Sequence, residues 1–420
     1  MPFASYLRFA LASTDNTRVL AFGFIMAFAS SVGQTYFIGV FGPAIQDEFG
    51  LSHTAWGSIY MAGTLLSALL LPWTGQQIDR ITLRRYTMLV CAGLVTAAAF
   101  MALVPSTVFL IVAILLLRQA GQGLAIHTGT TAVARGFRAD RGKAVAFATL
   151  GFSAGGSLLP FLAVLTIAAV DWRITFAASA AVLALVVTPL AWWLLGRRQE
   201  DLSPQETSTM ESATVRASEG SWTRAQVLRD WRFYFMVPAM AAPSIIVTAL
   251  FFHHPEFARA KEWGIDWVAG SYWIYAAGSV AASLTAGPLI DRLSAAQILP
   301  GSLISMLLAL FIVWAFDHYL WALPYLLLLG LTVGVNFTAL TSLWAEVYGV
   351  RHFGAIRSLA TSISVFSSAL GPLAMGAPMD AGVSVENICA LMALYCLAAT
   401  VSLVIALRGY CRDGAVSNAG

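Results

Sequence analysis

The stretch GQQIDRITLRR, Gly75–Arg85, closes a long apolar run, and its opening string GQQIDR has a counterpart 212 positions later in GPLIDR, Gly287–Arg292. Gly75, Asp79 and Arg80 thus recur as Gly287, Asp291 and Arg292. At the same offset Pro43 recurs as Pro255, Gly142 as Gly354 and Pro160 as Pro372. The repeated residues sit at the ends of apolar segments, which is the pattern of two tandem, similarly oriented halves. In a membrane protein built this way, the natural central site lies where the halves meet.

Hydrophobic residues make up 59% of the 420 residues and charged residues 11%. A soluble domain carries about 25% charged residues, so most of this chain has no water-facing surface. Val19–Gln46, Ala144–Val170, Phe233–Pro255, Trp267–Ile290 and Tyr319–Ala345 contain no Asp, Glu, Lys or Arg. Each meets the roughly 20 residues that a helix needs to cross a bilayer. The run from Tyr86 to Leu117 is too long for one helix and predicts a break near Pro105 and Ser106. The runs are continuously apolar rather than alternating, which predicts helices and not a barrel. The expected fold is an all-α membrane protein with twelve transmembrane helices in two six-helix pseudo-repeats. Residues 1–196 form the first bundle, 197–230 a polar cytoplasmic linker, and 231–420 the second bundle with a short tail. Within the linker, Trp222, Val227, Leu228 and Trp231 line one side of a short interfacial helix, or the segment is a plain tether.

The first seventeen residues hold Arg8 and Asp15 and no cleavable apolar leader, so the first span is expected to stay. Cys91, Cys389 and Cys396 fall inside expected spans and Cys411 in the tail, so they read as packing residues and not as a disulfide framework. Arg118 lies within a span, and Arg173, Arg259 and Lys261 fall on one side. The other twenty of the 24 basic residues fall on the opposite side, with both termini. Basic residues retained in short loops mark the cytoplasmic face, so both termini are expected there, in a plasma or cell inner membrane. The net charge of +3 follows from that bias and gives no argument for nucleic acid.

GQQIDRITLRR resembles the signature loop of the major facilitator superfamily, a Gly followed by Asp-Arg and paired basics, with Gly75, Asp79, Arg80, Arg84 and Arg85 at the matching positions. RQAGQG, starting at Arg118, resembles the same superfamily's Arg-and-Gly motif in the fourth span. The resemblance covers nearly the whole chain and implies a transporter that works by alternating access. The second loop departs from the pattern, with Ala296 and Gln297 where Arg84 and Arg85 would recur. Physically, Gly75 permits a close helix approach, and Asp79 can accept from a facing helix N-terminus, that of the eleventh span near Phe353. Arg80, Arg84 and Arg85 can pair with acids, carbonyls or lipid phosphates. Together with Asp291, Arg292 and Glu346 these are the expected gating residues. The alternative is that the basics only set topology and that Glu346 forms an end-of-helix ion pair with Arg351 and Arg357.

Arg118 is the one formal charge inside an expected span, and its counterpart at the offset is Gly330. At mid-membrane it costs at least about 2.5 kcal/mol unless it meets a cavity or partners. No acid lies at comparable depth. A positive dry cavity favours an anion, and a guanidinium matches a carboxylate with two parallel donors. Gln122 lies one turn away on the same face. A structural pin or a place in a proton path is the competing role. Gln34, Thr35 and Tyr36 in the first span and Asn336 in the tenth are further candidates, each equally suited to interhelical hydrogen bonding. Tyr60 and Tyr275 can wall a cavity or simply pack. His253, His254 and Glu256, at the outer end of the seventh span, are the candidates for proton coupling or for gate packing. His127 reads as a packed residue.

The sequence holds no phosphate-binding GxxxxGKS loop, no metal-ligand cluster and no nucleophile with a base at a recognisable spacing. ATP, a resident metal, a cofactor and an enzymatic role are therefore not expected. FGPAIQDEFGLS and WAEVYGVRHFGAI look like the bacterial branches near the monocarboxylate and oxalate carriers, although those usually hold their anion with basic residues in the eighth or eleventh span. The expected function is secondary transport of a small organic anion of monocarboxylate type, with a proton or by exchange, by a monomer in the lipid bilayer. The alternatives are efflux of drugs or hydrophobic metabolites, and a ligand sensor without turnover. GFSAGGSLLP, Gly151–Pro160, has paired Gly but lacks the preceding Gly-Pro of exporters.

Overall fold

The computed structural model describes residues 14–137, 141–196, 222–349 and 352–412. Among these residues the regular elements are helices, and eleven are long and apolar enough to cross a membrane. They are the second span His53–Asp79, third Leu83–Ala102, fourth Thr107–Gly136, fifth Lys143–Ala169, sixth Trp172–Leu195, seventh Trp231–Phe252, eighth Ile265–Ile290, ninth Ala295–Ala315, tenth Tyr319–Tyr348, eleventh Ile356–Asp380 and twelfth Val385–Tyr410. The break expected near Pro105 and Ser106 separates the third from the fourth.

The first span completes the twelve but is interrupted. Its helix runs Thr14–Ala29, tightens into a 3-10 turn at Ser30–Gly33, passes through Gln34 in extended conformation (φ −90°, ψ 154°), and resumes at Thr35–Val40. The run SSVGQ explains the break. Ser30 Oγ donates to the Ala27 carbonyl at 2.6 Å, competing locally with the helix ladder, and Gly33 adds no side chain to hold it.

The chain forms two compact units. The first comprises residues Met1–Leu51 and Ser58–Glu211, the second Ser52–Gly57 and Ser212–Gly420. In the first unit the first span packs on the fifth and the third on the sixth. In the second unit the seventh packs on the eleventh and the ninth on the twelfth, the same pairing one repeat later. A core of Phe22, Met26, Tyr86, Val90, Ala125 and Leu194 binds the spans of the first unit together. These side chains are buried against one another, which a bilayer does not drive hydrophobically, so close packing supplies the attraction.

Each unit is pinned where the loops follow its first and third helices. Glu48 accepts from Trp172 Nε1 at 2.7 Å and pairs with Arg173 Nη2 at 2.5 Å. Arg173 continues to the carbonyls of Ala102 at 3.0 Å and Val104 at 2.9 Å. In the second unit Lys261, its side chain fully buried, pairs with Asp317 and, at 3.3 Å, with Glu386, while Trp263 Nε1 donates to the Asp317 carbonyl at 2.6 Å. The repeat keeps the pin and reverses its charges.

Residues 197–221 of the linker lie outside the described residues. Beyond them, Thr223 and Gln226 form a capping box on the short helix Arg224–Val227, with Val227 buried and Leu228 and Trp231 exposed. Trp222 donates its backbone N–H to Tyr348 at 2.9 Å. Cys91, Cys389 and Cys396 are buried free thiols.

Candidate functional site

The site is built where the broken first span meets the fourth. At Gly33 an added Cβ would lie 2.1 Å from the Leu117 carbonyl oxygen, and at Gly121 one would lie 2.7 Å from Gly33 Cα. Only two glycines allow backbones this close. The fourth helix answers the approach by widening into a π-helical segment over Arg118–Ala125, a form of local insertion found mostly at functional sites. RQAGQG is therefore a backbone contact and a widened turn as well as a source of charge.

Arg118 opens that segment and is 1% exposed. Its Nη1 donates to the Gly33 carbonyl at 3.2 Å and to Thr35 Oγ1 at 3.4 Å. Its Nε is buried with no hydrogen-bond partner. The guanidinium carbon lies 5.2 Å from the centroid of the Tyr60 ring, within cation–π range. Tyr60 hydroxyl is 2.5 Å from Thr35 Oγ1. Tyr36 donates to Ser31 Oγ at 2.9 Å and packs edge-on against Phe152. Among the described residues no carboxylate pairs with Arg118. The cation is held by a carbonyl, a hydroxyl and a ring, with donor capacity left over.

Of the expected binding residues, the structure groups Arg118, Tyr60, Tyr36 and Gln34, the last 7% exposed, on the first, second and fourth spans of one unit. Gln122 is half-buried on the same π-helical segment. Asn336 and Tyr275 belong to the second unit. There Asn336 Nδ2 is buried without a partner, and Tyr275 packs on Phe251 with centroids 4.9 Å apart. The sequence did not single out Ser31 or the Gly33 carbonyl. A polar run, SSVGQT, in the middle of an apolar span was the available signal.

The histidines are interior groups. His254 is 2% exposed, with Nδ1 2.7 Å from Tyr272 hydroxyl and Nε2 2.8 Å from Tyr325 hydroxyl. Burial pushes its pKa down to about 3, so it is a neutral ring clamped by two phenols near pH 7. His253 is fully buried and its Nε2 lies 2.9 Å from the Pro372 carbonyl. Glu256 lies half-buried in the following helix, His254–Ala260.

Three of the expected gating residues, Asp79, Arg84 and Glu346, have partners within their own units. Asp79 pairs with Arg135 at 2.5 Å, and Arg135 also reaches the Ile78 carbonyl at 3.4 Å. Arg84 stacks over Trp192, 3.4 Å from the ring centroid, while Arg80, Arg85 and Arg292 are exposed. The side chain of Asp291 lies outside the described residues. Glu346 accepts from the backbone N–H of Ala295 at 2.8 Å and of Ala296 at 3.4 Å, capping the ninth span. Exposed amides and the positive end of the helix dipole explain this cap, while Arg351, one partner of the expected ion pair, lies outside the described residues. One expectation needs correcting. A Cβ at Gly75 or Gly287 would meet nothing within 4 Å, so close helix approach is not what these glycines serve here. Half-buried His127 sits in the fourth span.

Comparison with known proteins places the fold. The family model for the Major Facilitator Superfamily matches residues 23–372. No curated protein matches the sequence. Among solved structures, a bacterial homolog of the human lysosomal transporter Spinster, inward-facing and unoccupied, superposes with a TM-score of 0.74 at 13% identity, covering 96% of this chain and 98% of that one. The same kind of homolog in its inward-facing, occupied form gives 0.69 at 14% identity, covering 96% and 97%. The nucleoside transporter NupG gives 0.68 at 12% identity, covering 93% and 99%. These likenesses share the fold, and the matched family model covers most of the chain, so this protein belongs to the Major Facilitator Superfamily of membrane transporters.

Proposed function

We propose that this transporter is a secondary carrier of small organic anions of the monocarboxylate class, moved with a proton or by exchange. The supporting observation is Arg118, a fully buried guanidinium whose hydrogen bonds run through Nη1 to a carbonyl and a hydroxyl, with no paired acid among the described residues. A buried cation satisfied only by neutral acceptors keeps most of its desolvation cost. A carboxylate presented to the free donors would recover it through two charge-assisted hydrogen bonds. Tyr60 and Thr35 hold the guanidinium for that task, with Gln34, Gln122 and Tyr36 on the same unit, and Asn336 and Tyr275 are the candidate binding residues of the second unit. Asp79, Arg80, Arg84, Arg85, Asp291, Arg292 and Glu346 serve the cytoplasmic gate. The two bundles, 1–196 and 231–420, are joined by a cytoplasmic linker, both termini face the cytoplasm, and one chain suffices.

Uptake into proteoliposomes by a panel of labelled acids, with and without a pH gradient, tests this reading. Saturable uptake of a short-chain carboxylate supports it. Dye extrusion without acid uptake would replace it with efflux, and ligand binding without flux would replace it with a sensor.

A further inference from the structure

The second span starts inside the second unit. Its helix begins at His53, residues Ser52–Gly57 pack with that unit, and the chain from Ser58 onward packs with the first. The docked segment is tightly fitted. Asp380, at the end of the eleventh span, accepts from the backbone N–H of His53 at 3.0 Å and of Thr54 at 2.7 Å. Trp56 is 0% exposed and stacks on Phe252 with centroids 5.3 Å apart. A Cβ at Gly57 would lie 2.9 Å from the Pro372 carbonyl, and one at Gly376 would lie 2.6 Å from the His53 carbonyl.

Two imidazoles face each other in this seat, His53 and His253, with centroids 5.8 Å apart and planes at 75°. The Pro372 carbonyl can only accept, so His253 must donate to it from Nε2. In the neutral ring that leaves Nδ1 as a bare lone pair. The Nδ1 atoms of His253 and His53 are both buried with no hydrogen-bond partner. His253 is 0% exposed, so this is a basic nitrogen enclosed without a donor. Neither the anion site nor the pins of the two units uses it.

We propose that His53 and His253, beside the Asp380 carboxylate, form a proton-binding site whose filling releases the docked Ser52–Gly57 segment. A proton taken onto His253 Nδ1 makes an imidazolium that faces His53 and the positive end of the second helix. The acid facing it is Asp380, from the eleventh span. Asp380 is already committed to the amides of His53 and Thr54, and pairing with the new cation pulls it from them. By the count of spans this seat lies on the face opposite the chain termini, where a proton would arrive from outside.

The direction of the linkage follows from burial. Desolvation pushes His253 down to about 4, the Pro372 carbonyl and Asp380 pull it back, and His53 adds to the depression. The docked form therefore binds its proton less tightly than a free imidazole near pH ~6.5. Docking is complete above that value and is lost as pH falls towards 4, about tenfold per pH unit for one proton.

Hydrogen exchange of the Ser52–Gly57 amides in the full-length protein, corrected for the intrinsic pH effect, reads this without any transport substrate. In the wild type, protection should be constant above pH ~6.5 and fall about tenfold per unit below it. In His253→Gln, whose amide keeps a donor for Pro372, protection should no longer change with pH. In His53→Gln, loss of the neighbouring imidazole should narrow the pH window. A flat wild-type profile, or an unchanged slope in His253→Gln, overturns the proposal. Should His253→Gln fail to fold, an unchanged pH window in His53→Gln does so.

Discussion

Arg118 and Tyr60 share one hydroxyl. Thr35 Oγ1 accepts from Arg118 Nη1 at 3.4 Å and lies 2.5 Å from Tyr60 hydroxyl, while the Tyr60 ring sits 5.2 Å from the guanidinium carbon. The phenol thus fixes the guanidinium twice, by its ring and through Thr35. Tyr60→Phe keeps the ring and removes the hydroxyl. Apparent affinity for the transported anion should weaken about three- to tenfold, the worth of one ordinary hydrogen bond, with the maximal rate little changed. Initial uptake rates against concentration check this.

The contact between Gly33 and Gly121 sets where Arg118 stands. Gly121→Ala should destabilise the protein by about 1–3 kcal/mol, because its Cβ meets backbone and not a movable side chain. Gly93→Ala is the control, since a Cβ there finds Ala120 at an ordinary 3.6 Å. Thermal unfolding in detergent should lower the midpoint for the first variant and leave the second near wild type.

The Glu48–Arg173 pin has a pH signature. The hydrogen bonds from Arg173 and Trp172 hold the Glu48 carboxyl below its ordinary value, against the opposing effect of burial. A depressed folded-state pKa contributes stability above the unfolded pKa, near 4.3, and loses it as pH falls through the folded one. Glu48→Gln should therefore be less stable than wild type at pH 7, and the difference should vanish in acid. The carboxylate is 40% exposed, so the effect is at most modest. Melting curves at several pH values resolve it.

How much of this was legible in the sequence differs from residue to residue. The repeat at Gly75–Arg80 and Gly287–Arg292, with the apolar run lengths, carried the fold, because hydrocarbon thickness leaves a span few alternatives. The depth of Arg118 was legible for the same reason, as one charge in an uncharged run. What it touches was not. The widened turn at Arg118–Ala125 lies where two glycines from distant parts of the chain press together. Glu346 was read by its basic neighbours in sequence, whereas in space it meets the amide end of the ninth span. The single lone pair on His253 follows from one carbonyl, at Pro372, that no periodicity reveals.

Asp79 and Arg135 test the gate. The pair is exposed on the Asp79 side, 64%, so Asp79→Asn should change stability by less than about 1 kcal/mol. If the pair also serves the cytoplasmic gate, the transport rate should fall severalfold at an unchanged melting midpoint. An equal fall in both would make the pair merely structural.

The most direct test is counterflow of a labelled short-chain carboxylate through proteoliposomes holding Arg118→Ala or Arg118→Lys, each first shown to be folded by its melting curve. The Ala variant should show no flux above empty liposomes. The Lys variant should retain weakened flux, since an ammonium keeps the charge but loses the two-pronged geometry. Counterflow at near-wild-type affinity in Arg118→Ala would contradict the account and leave Arg118 as a pin between helices.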